Sequence, residues 1–452
     1  MQQIPLRTLS TTTAVGGKIH VRLTEGRFQN LRRLISGPLL LIYFALVWVQ
    51  VDGRSWLLFD FEARRILLFG LDLAWHDLPL LAGLMIAGST LLFFAAVGWG
   101  RVWCGFACPQ SIWTWLFIRI ETLTEGRAAL RRKQEKQPLT GTRVLRRIAK
   151  HALWLLAAFV TAFTFTGYFV PARELSQQLL ALQPDIATVG WLVTMTALTY
   201  LNAGLAREKV CTHMCPYSRF QGVMFDADTR TVTYDAARGE PRRTTGSSNG
   251  DAGDCVNCDL CVQVCPTGID IRDGLQYECI DCGACIDACD KVMEKIGKPK
   301  GLIAFKSENQ LQNKPSKLLR PRLLGYFSVL LITTGAVAFG FSQRSALVLE
   351  VLRDRGAIVQ HNSRGEICNS YQLKLEAVDP SLSSVELSLR GPQGLYLNGP
   401  ATLWLGDQGS HSQGYQLCSR NDSLPPRVDI TFVAQAGDVR VEKASTFLQL
   451  AR

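Results

Sequence analysis

The chain reads as a multi-domain membrane protein: a bundle of five transmembrane α-helices, an inserted cysteine-rich α+β domain and a C-terminal immunoglobulin-like β-sandwich. Three observations predict it. Five apolar stretches are long enough to cross a bilayer, and eight of the fourteen cysteines crowd between Cys255 and Cys289. From about Leu347 onward, apolar and polar side chains alternate with a period of two.

The apolar stretches run at about Leu34–Val51, Leu78–Trp99, Leu153–Val170, Ile186–Leu205 and Leu323–Phe341. Trp48 and Trp56 flank the end of the first as interfacial anchors. An arm of 33 residues with many polar and basic side chains precedes that stretch, so it reads as a retained anchor rather than a cleaved signal. The short loops orient the bundle. Arg7, Lys18, Arg22, Arg27, Arg32 and Arg33 precede the first span against a single acid, Glu25. A second basic stretch follows the second span: Arg127, Arg131, Arg132, Lys133, Lys136, Arg143, Arg146, Arg147 and Lys150. The loop after the first span carries Asp52, Asp60, Glu62, Asp72 and Asp77. The N-terminus is therefore expected in the cytoplasm and, after five spans, the C-terminus outside. The net charge of +11 lies beside apolar segments and is not interleaved with aromatics on one face, which argues against a nucleic-acid partner.

The expected organisation follows in order. Residues 1–33 form a cytoplasmic arm, and 34–235 a four-helix transmembrane region with its following cytoplasmic segment. Residues 236–254, rich in Gly, Ser, Arg and Asp, form a linker. The cysteine-rich domain occupies 255–295, a proline-bearing tether 296–322 and the fifth span 323–342. Residues 343–452 carry the sandwich. Its strands are Tyr371–Val378, Val385–Arg390, Arg427–Val433 and the run from Val439, parted by turns at Gly391-Pro392, Asn398-Gly399-Pro400 and Gly406-Asp407.

The strongest chemical signal is Cys255-x2-Cys258-x2-Cys261-x3-Cys265-Pro266, followed by Cys279-x2-Cys282-x2-Cys285-x3-Cys289. This is the doubled bacterial ferredoxin spacing, in which the fourth cysteine of each run serves the other cluster. It assigns Cys255, Cys258, Cys261 and Cys289 to one 4Fe–4S cluster. Cys265, Cys279, Cys282 and Cys285 take the second. Zinc knuckles would pair two C-x2-C units across a longer gap. The second run has Asp290 where the first has Pro266.

Two further pairs share one pattern: Cys104-Gly-Phe-Ala-Cys108-Pro109-Gln-Ser111 and Cys211-Thr-His-Met-Cys215-Pro216-Tyr-Ser218. Cysteines at i and i+4 share a helix face, and proline stops that helix or opens the next. Brought together, Cys104, Cys108, Cys211 and Cys215, with His213 and Met214, form a candidate copper or electron-transfer site, because thiolate and thioether ligands select Cu(I). The competing reading is four buried thiols that merely pack. Cys368 and Cys418 lie in the expected outer domain, where an oxidising compartment permits a disulfide that spacing does not fix. His20, His76, His151, His361 and His411 are scattered and read as structural or solvated.

Over nearly its whole length the chain resembles the cytochrome c oxidase accessory proteins of the FixG/CcoG/RdxA type. The resemblance rests on Arg238-Gly-Glu-Pro241, the stretch from Cys265 to Gln276, Cys279-Ile-Asp-Cys282, Ile286-Asp-Ala-Cys-Asp290, Gly301-Leu-Ile303, the stretch from Val210 to Gln221, and Arg353-Asp-Arg-Gly356 leading to Asn369 and Tyr371. It implies a polyferredoxin-like inner-membrane protein required to assemble a cbb-type haem–copper oxidase, reducing Cu(II) to Cu(I). The implied partners are a cytosolic electron donor or quinol, copper ions with a copper chaperone or transporter, and the oxidase assembly machinery. Cys368 and Cys418 match no motif of that family. Two other functions compete: an electron-relay subunit of a quinol dehydrogenase, and a non-enzymatic copper chaperone or scaffold. No nucleotide-binding glycine loop is present to supply electrons internally.

Overall fold

The computed structural model describes residues 19–449 except 52, 62–64, 75–76, 136, 139, 244–252, 318, 355–358, 378–381, 383, 406–409 and 421–423. Arg7, Lys18, Asp52, Glu62, His76, Lys136, Gly356, the middle of the linker and the Gly406-Asp407 turn lie outside the described residues. The chain divides into two compact units, 1–337 and 338–452.

The first unit opens with α1 (Arg27–Leu46). A hairpin of β1 (Gln50–Val51) and β2 (Arg54–Ser55) follows, then a meander of β3 (Leu57–Asp60), β4 (Arg65–Leu68) and β5 (Leu71–Ala74). Next come α2 (Leu78–Trp99), α3 (Val102–Phe106), α4 (Pro109–Glu125), α5 (Ala128–Glu135), α6 (Gly141–Thr166), α7 (Ala172–Leu180) and α8 (Ile186–Thr199). The last continues as π-helix through Tyr200–Ala206, and a second π-helical turn, Val210–Met214, leads into α9 (Pro216–Met224). The cysteine-rich domain contains α10 (Ala236–Gly239), α11 (Leu260–Gln263) and α12 (Ala284–Lys295), and pairs β6 (Thr231–Tyr234) with β7 (Ile303–Lys306). A short α13 (Glu308–Leu311) precedes α14 (Pro321–Ser342).

Among the described residues, four helices are long and apolar enough to cross a membrane: α2, α6, α8 with its π-helical extension, and α14. Their outer faces keep large apolar side chains exposed, such as Met85 at 68% and Ile332 at 70%, as lipid-facing helices do. The predicted second span matches α2 residue for residue. The third helix starts twelve residues earlier than the apolar stretch, because Arg143, Arg146, Arg147 and Lys150 are helix formers that apolarity does not mark. The first stretch departs most. Its helix runs Arg27–Leu46, with three arginines in its opening turns, and β-branched Val49 and Val51 leave it for an extended chain.

The linker is also less loose than its composition suggests. Arg238 donates to Asp254 at 2.7 Å, and the N–H of Gly253 reaches the Pro241 carbonyl at 2.9 Å, so the described ends of the segment are pinned together. The expected tether contributes strand β7 and the capping box of Ser307 with Gln310 on α13.

The second unit is a two-sheet antiparallel sandwich built from β8 (Leu347–Arg353), β9 (Gln360–His361), β10 (Ile367–Ala377), β11 (Ser384–Arg390), β12 (Leu395–Asn398), β13 (Thr402–Trp404), β14 (Ser410–Ser419), β15 (Arg427–Ala436) and β16 (Val439–Leu448). One sheet has the order β12-β14-β10-β8, with β9 beside β10, and the other β13-β11-β15-β16. Inward side chains, among them Leu373, Tyr371, Phe432 and Phe447, form one core. Cys368 and Cys418 face each other in the β10–β14 register and are joined by a disulfide. Closing a 50-residue separation is worth about 4 kcal/mol in the chain-entropy account. Replacing both cysteines by alanine is therefore expected to lower the unfolding free energy of residues 338–452 by up to that amount, measured by denaturant unfolding of this domain's signal.

Candidate metal centres

Each half of the cysteine-rich domain curls its backbone in the same way. In the first run Asn257 and Asp259 take left-handed φ values of 49° and 55°. The equivalent Asp281 and Gly283 of the second run take 51° and 70°. Alternating hand between successive residues turns N–H groups toward a common hollow that suits an anion. Two hollows result. One, about 360 Å3, is lined by Cys255, Cys258, Cys261 and Cys289. The other, about 350 Å3, is lined by Cys265, Cys279, Cys282 and Cys285, with Cys261 on the shared wall.

The fourth cysteine of each run thus lies beside the first three of the other, as crosswise ligation requires. Among the described residues no three His, Cys, Asp or Glu side chains converge tightly enough for a single ion. Thiols ringing a hollow suit a four-iron cubane. Burial raises the Cys279 and Cys285 thiols well above their ordinary range, so cluster binding must displace their protons.

Two carboxylates of the second run dock this domain on the helical region. Asp281, 1% exposed, accepts the N–H of Arg101 at 2.8 Å and of Val232 at 2.9 Å. Burial raises its carboxyl, and the two N–H donors pull the other way. Asp287 accepts from Phe28 at 3.1 Å and Gln29 at 2.8 Å, capping α1 from another domain. Asp281→Ala leaves two buried donors unpaired and is expected to cost about 3 kcal/mol. Anaerobic unfolding of the cluster chromophore measures it, with Asp281→Asn milder.

The Cys-Pro turns meet this domain directly. Cys108 and Cys215 are the N-caps of α4 and α9, each followed by proline at the first helical position. The members of each pair therefore straddle a break between helical segments instead of sharing one helix face. The structure does bring Cys104 into electrostatic reach of the other three thiols, and Cys211 into reach of Cys108 and Cys215. Burial, reinforced by the neighbouring sulfurs, pushes Cys104 up to about 12 and Cys211 up to about 11. Cys104 shares a buried cluster with Ile280 and Cys282. A Cβ on Gly105 would lie 2.7 Å from the Ile280 carbonyl oxygen and 3.0 Å from the Cys282 Cα. His213 and Met214, the other two candidate ligands, are both exposed. The His213 ring bonds the Thr212 hydroxyl at 2.6 Å, and Met214 is 66% exposed.

Arg101 carries no pattern that marks it in sequence, and Gly105, Asp281 and Asp287 stand in the cysteine motifs only as residues between the ligands. Their roles appear only when the two domains meet. The same is true of a cavity of about 600 Å3 between the N-terminal arm, α4, Cys211 and the second cluster loop. Arg22, Arg32 and Arg207 line it with Trp115 and Glu208. Burial lowers the Arg32 guanidinium, and its Nη2 donates to the Ser111 carbonyl at 3.0 Å.

Comparison with known families places these features. Residues 206–308 match a 4Fe–4S dicluster domain, 80–134 a 4Fe–4S binding domain, and 337–449 the Ig-like fold at the C-terminus of FixG, described as a putative oxidoreductase. The chain is 34% identical over 418 residues to the nitrogen fixation protein FixG of Rhizobium meliloti, covering 83% of this chain and 79% of that protein. Protein RdxB of Cereibacter sphaeroides is 36% identical over 83% of this chain and 85% of its own length. Protein RdxA of the same organism is 35% identical, covering 83% of each. With its 4Fe–4S domains, apolar helices and C-terminal Ig-like domain, the chain belongs to the FixG/RdxA/RdxB family of polyferredoxin-like membrane redox proteins.

Proposed function

We propose that this protein is a one-electron reductase of Cu(II) that serves assembly of a cbb-type haem–copper oxidase. The observation that carries the reading is the seating of the Ile280–Cys282 loop on Gly105. It puts the second cluster hollow against the membrane-face thiols. Bound 4Fe–4S clusters supply single-electron transfer. The chain's own residues hold and orient: eight cysteines ring the two hollows, Asp281 and Asp287 fix the loop, and Phe28 and Ile280 wall it from water.

Copper is the substrate. Each Cu(II) takes one electron and leaves as Cu(I), which soft sulfur ligands favour. The electron comes from a cytosolic electron-carrier protein or a quinol. Exposed His213 and Met214, beside the second turn, are the first ligands an arriving ion meets. The C-terminal sandwich docks a periplasmic copper chaperone or transporter, or the oxidase assembly machinery.

Five crossings fit this arrangement. The start of α1 binds Asp287 at the cluster end, while Tyr43 near its other end donates to the Thr161 carbonyl and Val47 packs on Tyr168, beyond the end of α6. The basic loops favour a cytoplasmic cluster domain, and the Cys368–Cys418 disulfide favours an oxidising compartment for the sandwich.

Turnover of Cu(II) in the presence of a Cu(I)-specific chromophore tests the reading. Full-length protein given an excess of chemical reductant should form Cu(I) catalytically. Replacing Cys104, Cys108, Cys211 and Cys215 by serine should abolish most of that rate, and full retention would remove these residues from the path. A second reading, relay of electrons to or from a quinol, is favoured by the 600 Å3 cavity, whose three guanidinium groups repel a free cation and suit a quinone oxygen. Quinol-dependent cluster reduction blocked by Arg32→Ala would support it.

A further inference from the structure

We infer that Cys104, Cys108, Cys211 and Cys215 hold a third 4Fe–4S cluster, shared between the two Cys-Pro turns. The inference concerns what occupies the thiols and stands apart from whether Cu(II) is the final acceptor.

Four observations carry it. A cubane needs four thiolates, and two turns of identical pattern supply two each. Cys104 lies in electrostatic reach of Cys108, Cys211 and Cys215, and Cys211 of Cys108 and Cys215, yet no three of them converge on a single-ion position. A structural zinc ion, with its four tetrahedral ligands, would need that tighter convergence. Residues 80–134 match a 4Fe–4S binding domain although that stretch contains only Cys104 and Cys108. Its remaining ligands must come from elsewhere, and the matched turn is the neighbour that offers them.

The surroundings suit an anionic cluster. The N-termini of α4 and α9 open at Cys108 and Cys215, and their first free N–H groups and positive dipole ends face that side. Arg101 is 4% exposed, lies within reach of Cys104 and Cys211, donates to the Ser218 carbonyl and stacks 4.8 Å from the Tyr277 ring. Ser218 Oγ donates to the Cys211 carbonyl at 2.6 Å and the Cys215 carbonyl at 3.0 Å, and meets the Tyr277 hydroxyl at 2.9 Å. Tyr277 stands two residues before Cys279, so the second turn and the second cluster loop are tied through one side chain. The Cys104 thiol donates to Gln221 Oε1 at 3.3 Å, and a cluster would take the place of that bond. Electron movement balances simply: one electron lost by the Cys265/Cys279/Cys282/Cys285 cluster is gained by the third, and one leaves it for the acceptor.

Native mass spectrometry with iron and acid-labile sulfide analysis of anaerobically purified full-length protein decides the matter. The expected fully loaded form carries about twelve iron and twelve sulfide, and a Cys108→Ser/Cys215→Ser variant about eight, with the ferredoxin EPR signals unchanged. Wild-type protein whose highest loaded form carries eight iron would overturn the inference, as would a variant that keeps twelve. If the double variant is not recovered, Cys258→Ala provides the second count: about eight iron remaining supports three clusters, and about four leaves only two.

Discussion

Gly105→Val is expected to slow copper reduction by on the order of 10- to 100-fold while the iron and sulfide content of the ferredoxin domain stays unchanged. The first atom of any side chain at this position would lie 2.7 Å from the Ile280 carbonyl oxygen, 3.0 Å from that of Asp281 and 3.0 Å from the Cys282 Cα. These are backbone atoms, so the cluster loop itself must move away. Valine enlarges the separation and should act more strongly than alanine. Gly88→Ala, in α2, meets nothing within 4 Å and serves as the control, with no change in rate. The readout is the rate of cluster oxidation after mixing reduced protein with Cu(II), alongside an iron assay. A rate unchanged in Gly105→Val would mean that electrons leave the ferredoxin domain elsewhere.

The second large effect is expected at Glu121, which is fully buried on α4. Its carboxylate pairs with Arg131 on α5 and, at 3.0 Å, with Arg207. Arg207 also donates from Nε to the Gly204 carbonyl at 2.8 Å and lies 5.3 Å from the Trp154 ring. Glu121→Gln keeps the shape and removes the charge, leaving two buried guanidinium groups without it. Breaking such a set costs about 3–5 kcal/mol. Arg207 holds a left-handed φ of 45° between the two π-helical segments, so its displacement reaches the Cys211 turn. Thermal unfolding in detergent should show the loss, and the apparent midpoint should not recover with Glu121→Ala. A midpoint equal to wild type in Glu121→Gln would mean that hydrogen bonding alone holds the two arginines.

What the sequence reveals follows from which forces act locally. The two ferredoxin runs were legible because cluster ligation fixes cysteine spacing within a short segment, and the hollows gather the cysteines in the crosswise sets the spacing implied. Helices α2 and α14 were legible because lipid selects unbroken apolarity. The alternating runs 427–433 and 385–390 became β15 and β11 because one face of each is buried.

Other features depend on contacts between distant segments and leave no local trace. Helix α1 begins at Arg27 because Asp287, some 260 residues later, caps it. The expectation that Cys104 and Cys108 share a helix face failed at Pro109, which opens a new helix with Cys108 as its extended cap. The π-helical turns at Tyr200–Ala206 and Val210–Met214 are likewise invisible to a 3.6-residue pattern. Widened turns of this kind recur at functional sites, and here they deliver Cys211 to the thiol set. His213 and Met214 match the expected ligand types, and the structure leaves both exposed on the π-helical turn, a placement that residue type alone does not reveal.

The most direct measurement is a single turnover. Protein with fully reduced clusters is mixed anaerobically with one equivalent of Cu(II) and frozen for EPR. The account predicts that the Cu(II) signal disappears as one electron leaves the clusters for each copper consumed. A Cu(II) signal that persists beside clusters still fully reduced would contradict it.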